Sequence, residues 1–368
     1  MTDPSPAYNR SVEKRVQSVR ARISGFGLTG LLVSHLPNVR YLSGFTGSSG
    51  VLLVESDRTT LFTDFRYETQ IAEELTRLVV PRIVQGSTWA ALSEWLETAP
   101  PGRRLGFEAA RLSVADRDRL TSACGSVIWE ATEHIIERER AIKDDVEIAS
   151  IEAAVDLAEK VLDEMIPQIK VGVTETELAA RLEYHLRSAG SGSLPFQPIV
   201  AFGERTALPH STPTERPLAS GDLVLLDFGA SVDGYCSDMT RVFTAGRAAD
   251  WQRDMHREVL AACEAGIRAS GPGELCSAVD AATRNQLAKA GLAERFGHST
   301  GHGVGLEVHE APRIHRDARD TLEVGNVVTI EPGVYLPGRG GIRIEQLVVV
   351  QPDENRVLTR SSPDLIEL

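Results

Sequence analysis

Apolar positions in the first part of the chain switch between short continuous runs and helical spacing. A charged helix is predicted near Val12 to Phe26, followed by apolar strands at Gly30 to Ser34, Val51 to Glu55 and Thr60 to Thr63. Helical patterns over Arg66 to Leu75 and Trp89 to Leu96 are separated by the apolar stretch Leu78 to Val84. Further strand candidates lie at Leu105 to Glu108 and Val127 to Trp129. Residues 1–135 therefore read as a small α/β domain.

From His134 to Lys170 the pattern changes to Glu, Ala, Leu and Ile at three- and four-residue spacing, the mark of a long helical stretch. A domain boundary inside it gives domains of 1–135 and 136–368. Residues 136–145 act as a linker helix carrying charge pairs, and Val146 onward forms the first helix of the second domain. Beyond it the order helix (to Gln168), helix (Thr174 to Ala189), apolar strands is followed by helix (Trp251 to Ser270), helix (Cys276 to Ala290), apolar strands. A repeated order of this kind predicts a pseudo-symmetric α+β domain.

A length of 368 residues suits two domains, and 42% apolar with 25% charged residues supplies core enough for both. The formal net charge of −13 argues against a nucleic-acid partner, which needs clustered Lys and Arg. Cys124, Cys236, Cys263 and Cys276 lie at irregular spacings with no CxxC pair, so they read as buried thiols rather than a zinc ribbon or disulfide framework. The first twenty residues are polar, and no apolar run reaches the roughly 18 residues of a membrane span, so no membrane partner and a cytoplasmic location are expected.

Three segments carry candidate chemistry. In Leu223-Val-Leu-Leu-Asp227 through Asp233-Gly234 to Asp238-Met-Thr-Arg241, Asp233-Gly234 is a hairpin-turn signal. A turn centred there pairs position 227 with 240 and makes Asp238 the diagonal neighbour of Asp227. Taken alone, an exposed hairpin with solvated aspartates fits equally well. Asp227, however, interrupts an apolar strand, and a buried carboxylate needs a partner or a metal. The second segment, Phe296 to Pro312, holds His298, His302 and His309 among glycines. Residues 302 and 309 fall on opposite faces of a regular strand, so both can serve one site only if the backbone bends or bulges. In the third, Glu331 and Glu345 each lie seven residues from Gly338, and a hairpin bent there brings them together. A plain salt bridge between Glu331 and Arg343 is the competing account of that pair. Asp227, Asp238, His302, Glu331 and Glu345 together carry more negative charge than one cation needs. An oxygen-rich set of this kind suits two ions of manganese, cobalt or zinc.

These segments resemble the Xaa-Pro peptidases, the aminopeptidase P and prolidase group within the methionine-aminopeptidase-like pita-bread metallopeptidases. The matching motifs are Leu226-Asp227-Phe-Gly, Ser237-Asp238-Met-Thr-Arg, Gly301-His302-Gly-Val-Gly, Val308-His309-Glu, Ile330-Glu331-Pro-Gly and Arg343-Ile-Glu345. Asn38-Val-Arg-Tyr-Leu-Ser-Gly-Phe and Thr63-Asp-Phe-Arg-Tyr are similar to the creatinase-type N-terminal domain. The resemblance implies a creatinase-like domain ahead of a pita-bread catalytic domain, and two divalent ions, manganese above zinc or cobalt. The implied ligands are Asp227, Asp238, His302, Glu331 and Glu345.

It further implies Glu331, His298, His309 and His210 as catalytic groups, with His210, His309, Arg343 and Tyr335 on the substrate side. The implied reaction is metal-assisted hydrolysis of the bond between an N-terminal residue and a following proline, in proline-containing peptides, by a homodimer. A strict Xaa-Pro dipeptidase is the nearest alternative, since it differs only in recognising a free carboxylate after proline. A methionine aminopeptidase would leave the first 135 residues without a role. A silent binding protein on the same fold would be expected to lose ligands, and none is missing here.

Overall fold

The computed structural model describes residues 6–98 and 100–368, which divide into two compact units, Met1–Arg140 and Ala141–Leu368. The first unit contains α1 (Pro6–Gly25), β1 (Gly30–Val33), α2 (Leu36–Ser43), β2 (Val51–Glu55), β3 (Thr59–Asp64), α3 (Glu68–Glu74), β4 (Val79–Val84), α4 (Thr88–Glu97), β5 (Arg104–Glu108), α5 (Val114–Ala123), β6 (Ile128–Thr132) and the start of α6 (Glu137–Ala141). Its six strands form one mixed sheet in the order β4-β3-β2-β1-β5-β6. Pro81 is accommodated because β4 is an edge strand, where a missing N–H breaks no ladder. Helices α2 and α5 went unpredicted. The first is only eight residues long, and it starts where the buried Glu108 carboxylate accepts from the N–H groups of Ser34 (2.7 Å) and His35 (2.8 Å). That contact joins residues 74 apart and leaves no local signal.

The predicted linker helix over 136–145 is shorter than expected. Helix α6 ends at Ala141, Ile142 makes an isolated bridge to Asn326, and Lys143 turns inward. The break follows from Asp144, whose carboxylate accepts from the N–H groups of Val146 and Glu147 (3.0 Å each) while Glu147 reaches back to the Asp144 N–H. That reciprocal cap starts a new helix rather than continuing the old one.

The second unit comprises α7 (Asp145–Met165), α8 (Glu175–Ser188), β7 (Ile199–Phe202), β8 (Leu223–Phe228), β9 (Ser231–Val232), β10 (Tyr235–Cys236), β11 (Met239–Thr244), α9 (Asp250–Ala269), α10 (Cys276–Lys289), β12 (Gly301–Gly303), β13 (Glu310–Ile314), β14 (Val327–Ile330), β15 (Gly333–Leu336), β16 (Gly340–Arg343), β17 (Gln346–Val349), β18 (Arg356–Val357) and β19 (Ile366–Glu367). Two larger sheets, β19-β11-β8-β7 and β13-β12-β14-β17-β18, each follow a pair of helices, as the repeated order predicts, so the unit is α+β. Helices α7 and α8 bury Leu162, Leu178 and Leu182 against Val224, Leu226 and Phe228 of β8. Helices α9 and α10 bury Val259 and Val279 against Leu223 and Leu225 of β8 and Val328 and Val348 of the second sheet. Alternate residues of one strand thus serve two cores, as its period of two dictates.

Strand β12 passes so close to β14 that a Cβ on Gly301 would collide with the carbonyl of Thr329. Gly301→Ala is expected to lower stability by about 1–3 kcal/mol through forced displacement of a buried strand. A denaturant midpoint unchanged from the parent would show that the contact is dispensable.

Candidate metal centre

The alternation of β8 decides where its acid points. Val224, Leu226 and Phe228 belong to the core under α7 and α8, so Asp227 shares the opposite face with Leu223 and Leu225. On β11 the same parity puts Asp238 and Thr240 with Val242, away from Met239 and Phe243. Register brings the two strands together as expected: Asp227 pairs with Thr240, and the hairpin turns through Asp233 (φ 48°) and Gly234 (φ 75°). Both acids are buried.

A second bend supplies the glutamates. Leu336 pairs with Gly340, Gly333 with Arg343, and Ile330 with Gln346, so the ladder is centred on Gly338 and sets Glu331 opposite Glu345. Among the described residues no ion pair joins Glu331 to Arg343, which corrects the competing salt-bridge account. Arg343 instead pairs with Asp227 and donates to Tyr335 Oη (2.9 Å), Thr240 Oγ1 (3.1 Å) and the Pro209 carbonyl (3.3 Å). The physical reason is proximity: β16 packs beside β8, so the guanidinium closes on Asp227 there.

The histidines converge through a bulge. Register shifts between His302 and Gly303, and the imidazole rings of His302 and His309 come within 4.3 Å, centre to centre, despite their opposite parity. His302 Nδ1 faces the Gly303 carbonyl (3.1 Å), which leaves Nε2 free toward Glu331 Oε1 (3.5 Å) and Asp238 Oδ2 (3.7 Å). Asp238, His302 and Glu345 each offer a ligand atom, all lying within 4.8 Å of one another. Asp227 and Glu331 border this trio on the wall of a cavity of about 400 Å³, which is also lined by His210, His298, His309 and Arg343. Tyr335 is buried behind that wall, its hydroxyl 2.8 Å from His298 Nε2.

Electrostatics follows from the crowding. Burial, then the neighbouring carboxylates, pushes the Asp238 and Glu331 carboxyls well above the usual range. The same causes, burial first and then Asp227, raise Glu345 to about 8. Burial lowers His302 and His298 to about 4, and it lowers His309 as well. Four acids facing one neutral imidazole, whose Nδ1 is committed to a backbone carbonyl, form a donor set suited to divalent cations.

Two contributors escaped the sequence reading. Thr240 donates to Glu345 Oε2 (2.8 Å) and accepts from Arg343, a position the hairpin register itself marks because it faces Asp227. Arg313 lines the cavity with an exposed guanidinium, and no local pattern singles it out.

A family model described as metallopeptidase family M24 matches residues 149–352, which include all five candidate ligands. The chain belongs to that family. A second model, described as the creatinase/prolidase N-terminal domain, matches residues 15–142. Among M24-type relatives, an Xaa-Pro dipeptidase from Pyrococcus horikoshii is 31% identical over 96% of this chain and 99% of its own length. An Xaa-Pro dipeptidase structure from Bacillus anthracis superposes with a TM-score of 0.93 at 35% identity, covering 97% of this chain and all of that one. An X-Pro aminopeptidase structure from Thermotoga maritima gives 0.87 at 33% identity, over 94% of this chain and 99% of that one. The chain is accordingly a metal-dependent hydrolase with a creatinase-type N-terminal domain.

The raised carboxyls make the metal-free chain sensitive to pH. Between about 6.5 and about 8 the folded acid cluster retains protons that an unfolded chain, with Glu near 4.5, has already released, so stability falls as pH rises. Below 6.5 the buried histidines act oppositely, because unfolding then takes up protons that His298 and His302 refuse when folded. The melting temperature of chelator-treated protein is therefore expected to drop across pH 6.5 to 8, and added manganese should abolish the drop. A melting temperature rising through that window without metal would contradict the crowding.

Proposed function

We propose that the chain hydrolyses the bond between an N-terminal residue and a following proline, with Xaa-Pro dipeptides as preferred substrates, using two divalent ions, manganese foremost. The observation carrying this reading is one cavity wall built from four carboxylates and an imidazole, with a separate guanidinium, Arg313, lining the same cavity. Asp227, Asp238, His302, Glu331 and Glu345 would hold the ions, since four acids exceed the charge of one cation. Bound there, the ions would polarise the scissile carbonyl and lower the pKa of water toward roughly 7.

The protein's own groups do the rest. Glu331, on the wall beside His302, takes the proton of the attacking water and relays it to the leaving nitrogen. His309, whose imidazole partial desolvation makes less basic, donates a hydrogen bond to the carbonyl oxygen as negative charge develops on it. His298 is engaged at both nitrogens, by the Ser299 carbonyl (2.9 Å) and the Tyr335 hydroxyl, and so orders the pocket wall through Tyr335 and Arg343. His210, exposed at the mouth, lines the part of the cavity formed with Pro209, Ser211 and Pro213, where the proline ring is received.

Arg313 favours the dipeptidase over an open-ended aminopeptidase. Of the two guanidinia in the described lining, Arg343 is committed to Asp227, whereas Arg313 has no ion-pair partner among the described residues and can donate to the carboxylate that follows proline. The relatives named Xaa-Pro dipeptidase support the same choice.

Purified protein with manganese is expected to cleave Xaa-Pro dipeptides at least about a hundredfold faster than Xaa-Ala controls. Equal rates on both would reject the proline assignment. Arg313→Gln should raise KM for the dipeptide about tenfold while leaving tripeptides nearly unaffected. Asp238→Ala should lose bound metal and at least about a hundredfold in turnover, read by metal analysis and kcat on the same preparation.

A further inference from the structure

Lys143 is a deeply buried cation that the proposed reaction does not use. It sits between the end of α6 and the Asp144 cap of α7, and its side chain is 0% exposed. Its Nζ lies 2.7 Å from Glu310 Oε1, whose side chain is 6% exposed. The backbone of Lys143 is fixed as well, its N–H donating to the Gly325 carbonyl at 2.9 Å.

Glu310 directly follows His309, and its carboxylate fills the inside of the turn that presents that histidine. A Cβ on Gly305 would collide with it, so the turn can close around the carboxylate only because Gly305 has no side chain. The Glu307 N–H points to Glu310 Oε2 (3.5 Å), the Gly305 N–H donates to the Glu307 carbonyl (3.0 Å), and the Cys236 N–H donates to the Gly305 carbonyl (2.8 Å). Among the described residues no hydrogen bond holds the ring of His309. Its placement against His302 is therefore inherited from the backbone of this turn. A desolvated ion pair is seldom worth more to stability than the apolar groups that could replace it, so its use here calls for a positional reason.

We propose that Lys143 is a positioning residue for His309: by neutralising the Glu310 carboxylate inside the 305–310 turn, it sets where the imidazole meets the carbonyl oxygen of the substrate. The proposal rests on the role given to His309 above. Glu310 is the coupling element, and neither it nor Lys143 is among the residues lining the cavity.

A double-mutant cycle of Lys143→Met and His309→Ala separates the two ideas. Steady-state kinetics on an Xaa-Pro dipeptide, metal content and melting temperature are measured on each manganese-loaded chain. Lys143→Met is expected to lower kcat by about tenfold or more with KM within about threefold and metal content unchanged, as displacement of a catalytic group does. On the His309→Ala background the same substitution should lower kcat by less than about twofold. Equal losses on both backgrounds, or a lower melting temperature with kcat per folded chain unchanged, overturn the proposal and leave His309's role intact. Should His309→Ala itself keep full turnover, the role of His309 fails, and the proposal with it. If Lys143→Met does not fold, Glu310→Gln serves in its place, since the amide keeps the size and the contact to Lys143 but not the charge. Its expected loss is about threefold in kcat on the parent and none on His309→Ala, and parental kcat overturns the proposal.

Discussion

Like-charge repulsion in a desolvated space is the constraint around which the second unit is organised. Asp227, Asp238, Glu331 and Glu345 share one wall, and carboxylates at such separations away from bulk water repel strongly. Two buried arginines moderate this from behind. Arg343 pairs with Asp227 and holds Tyr335 and Thr240, while Arg241 donates to the carbonyls of Thr240 (3.0 Å) and Glu345 (2.7 Å) and to Gln346 Oε1 (2.9 Å). The guanidinium charges are thus spent on fixing backbone and one aspartate, and the remaining acids are left with elevated proton affinity or a cation as their means of neutrality.

This arrangement needs both halves of the unit at once. The first half contributes the aspartates from a local hairpin, and the second contributes the imidazole and glutamates from strands that close around Gly338. The link between them is long-range: the bond from Thr240 to Glu345 spans 105 residues. Closing such a separation carries an entropic cost that each local hairpin avoids, and only the packed unit as a whole offsets it.

How much of this the sequence disclosed depended on whether the determining contact was local. The turn at Asp233-Gly234 and the ladder about Gly338 set their own registers, so the convergence of each acid pair could be counted out along the chain. The need for a bulge near His302 followed from parity alone. Arg343 was legible as a residue but not as a partner, because Asp227 reaches it from a strand 116 residues away. Arg313 and Lys143 gave no signal at all, since an arginine on an exposed strand position and a lysine after a charged helix are ordinary patterns on which burial or a cavity leaves no mark. In the first unit, α2 was missed for the same reason, its start being fixed by Glu108 from a distant strand.

Sulfur is kept apart from the acid cluster. All four cysteines are buried, and the Cys263 thiol donates a hydrogen bond to the carbonyl of Ile330 (3.4 Å), one residue from Glu331. Burial holds that thiol far above its ordinary titration range and lifts Cys276 to about 11. A sulfur so near the acids yet locked in its protonated form offers no thiolate to compete with oxygen and imidazole. The donors that the described lining presents are carboxylate oxygens and imidazole nitrogens, with the nearest sulfur turned into the core behind them.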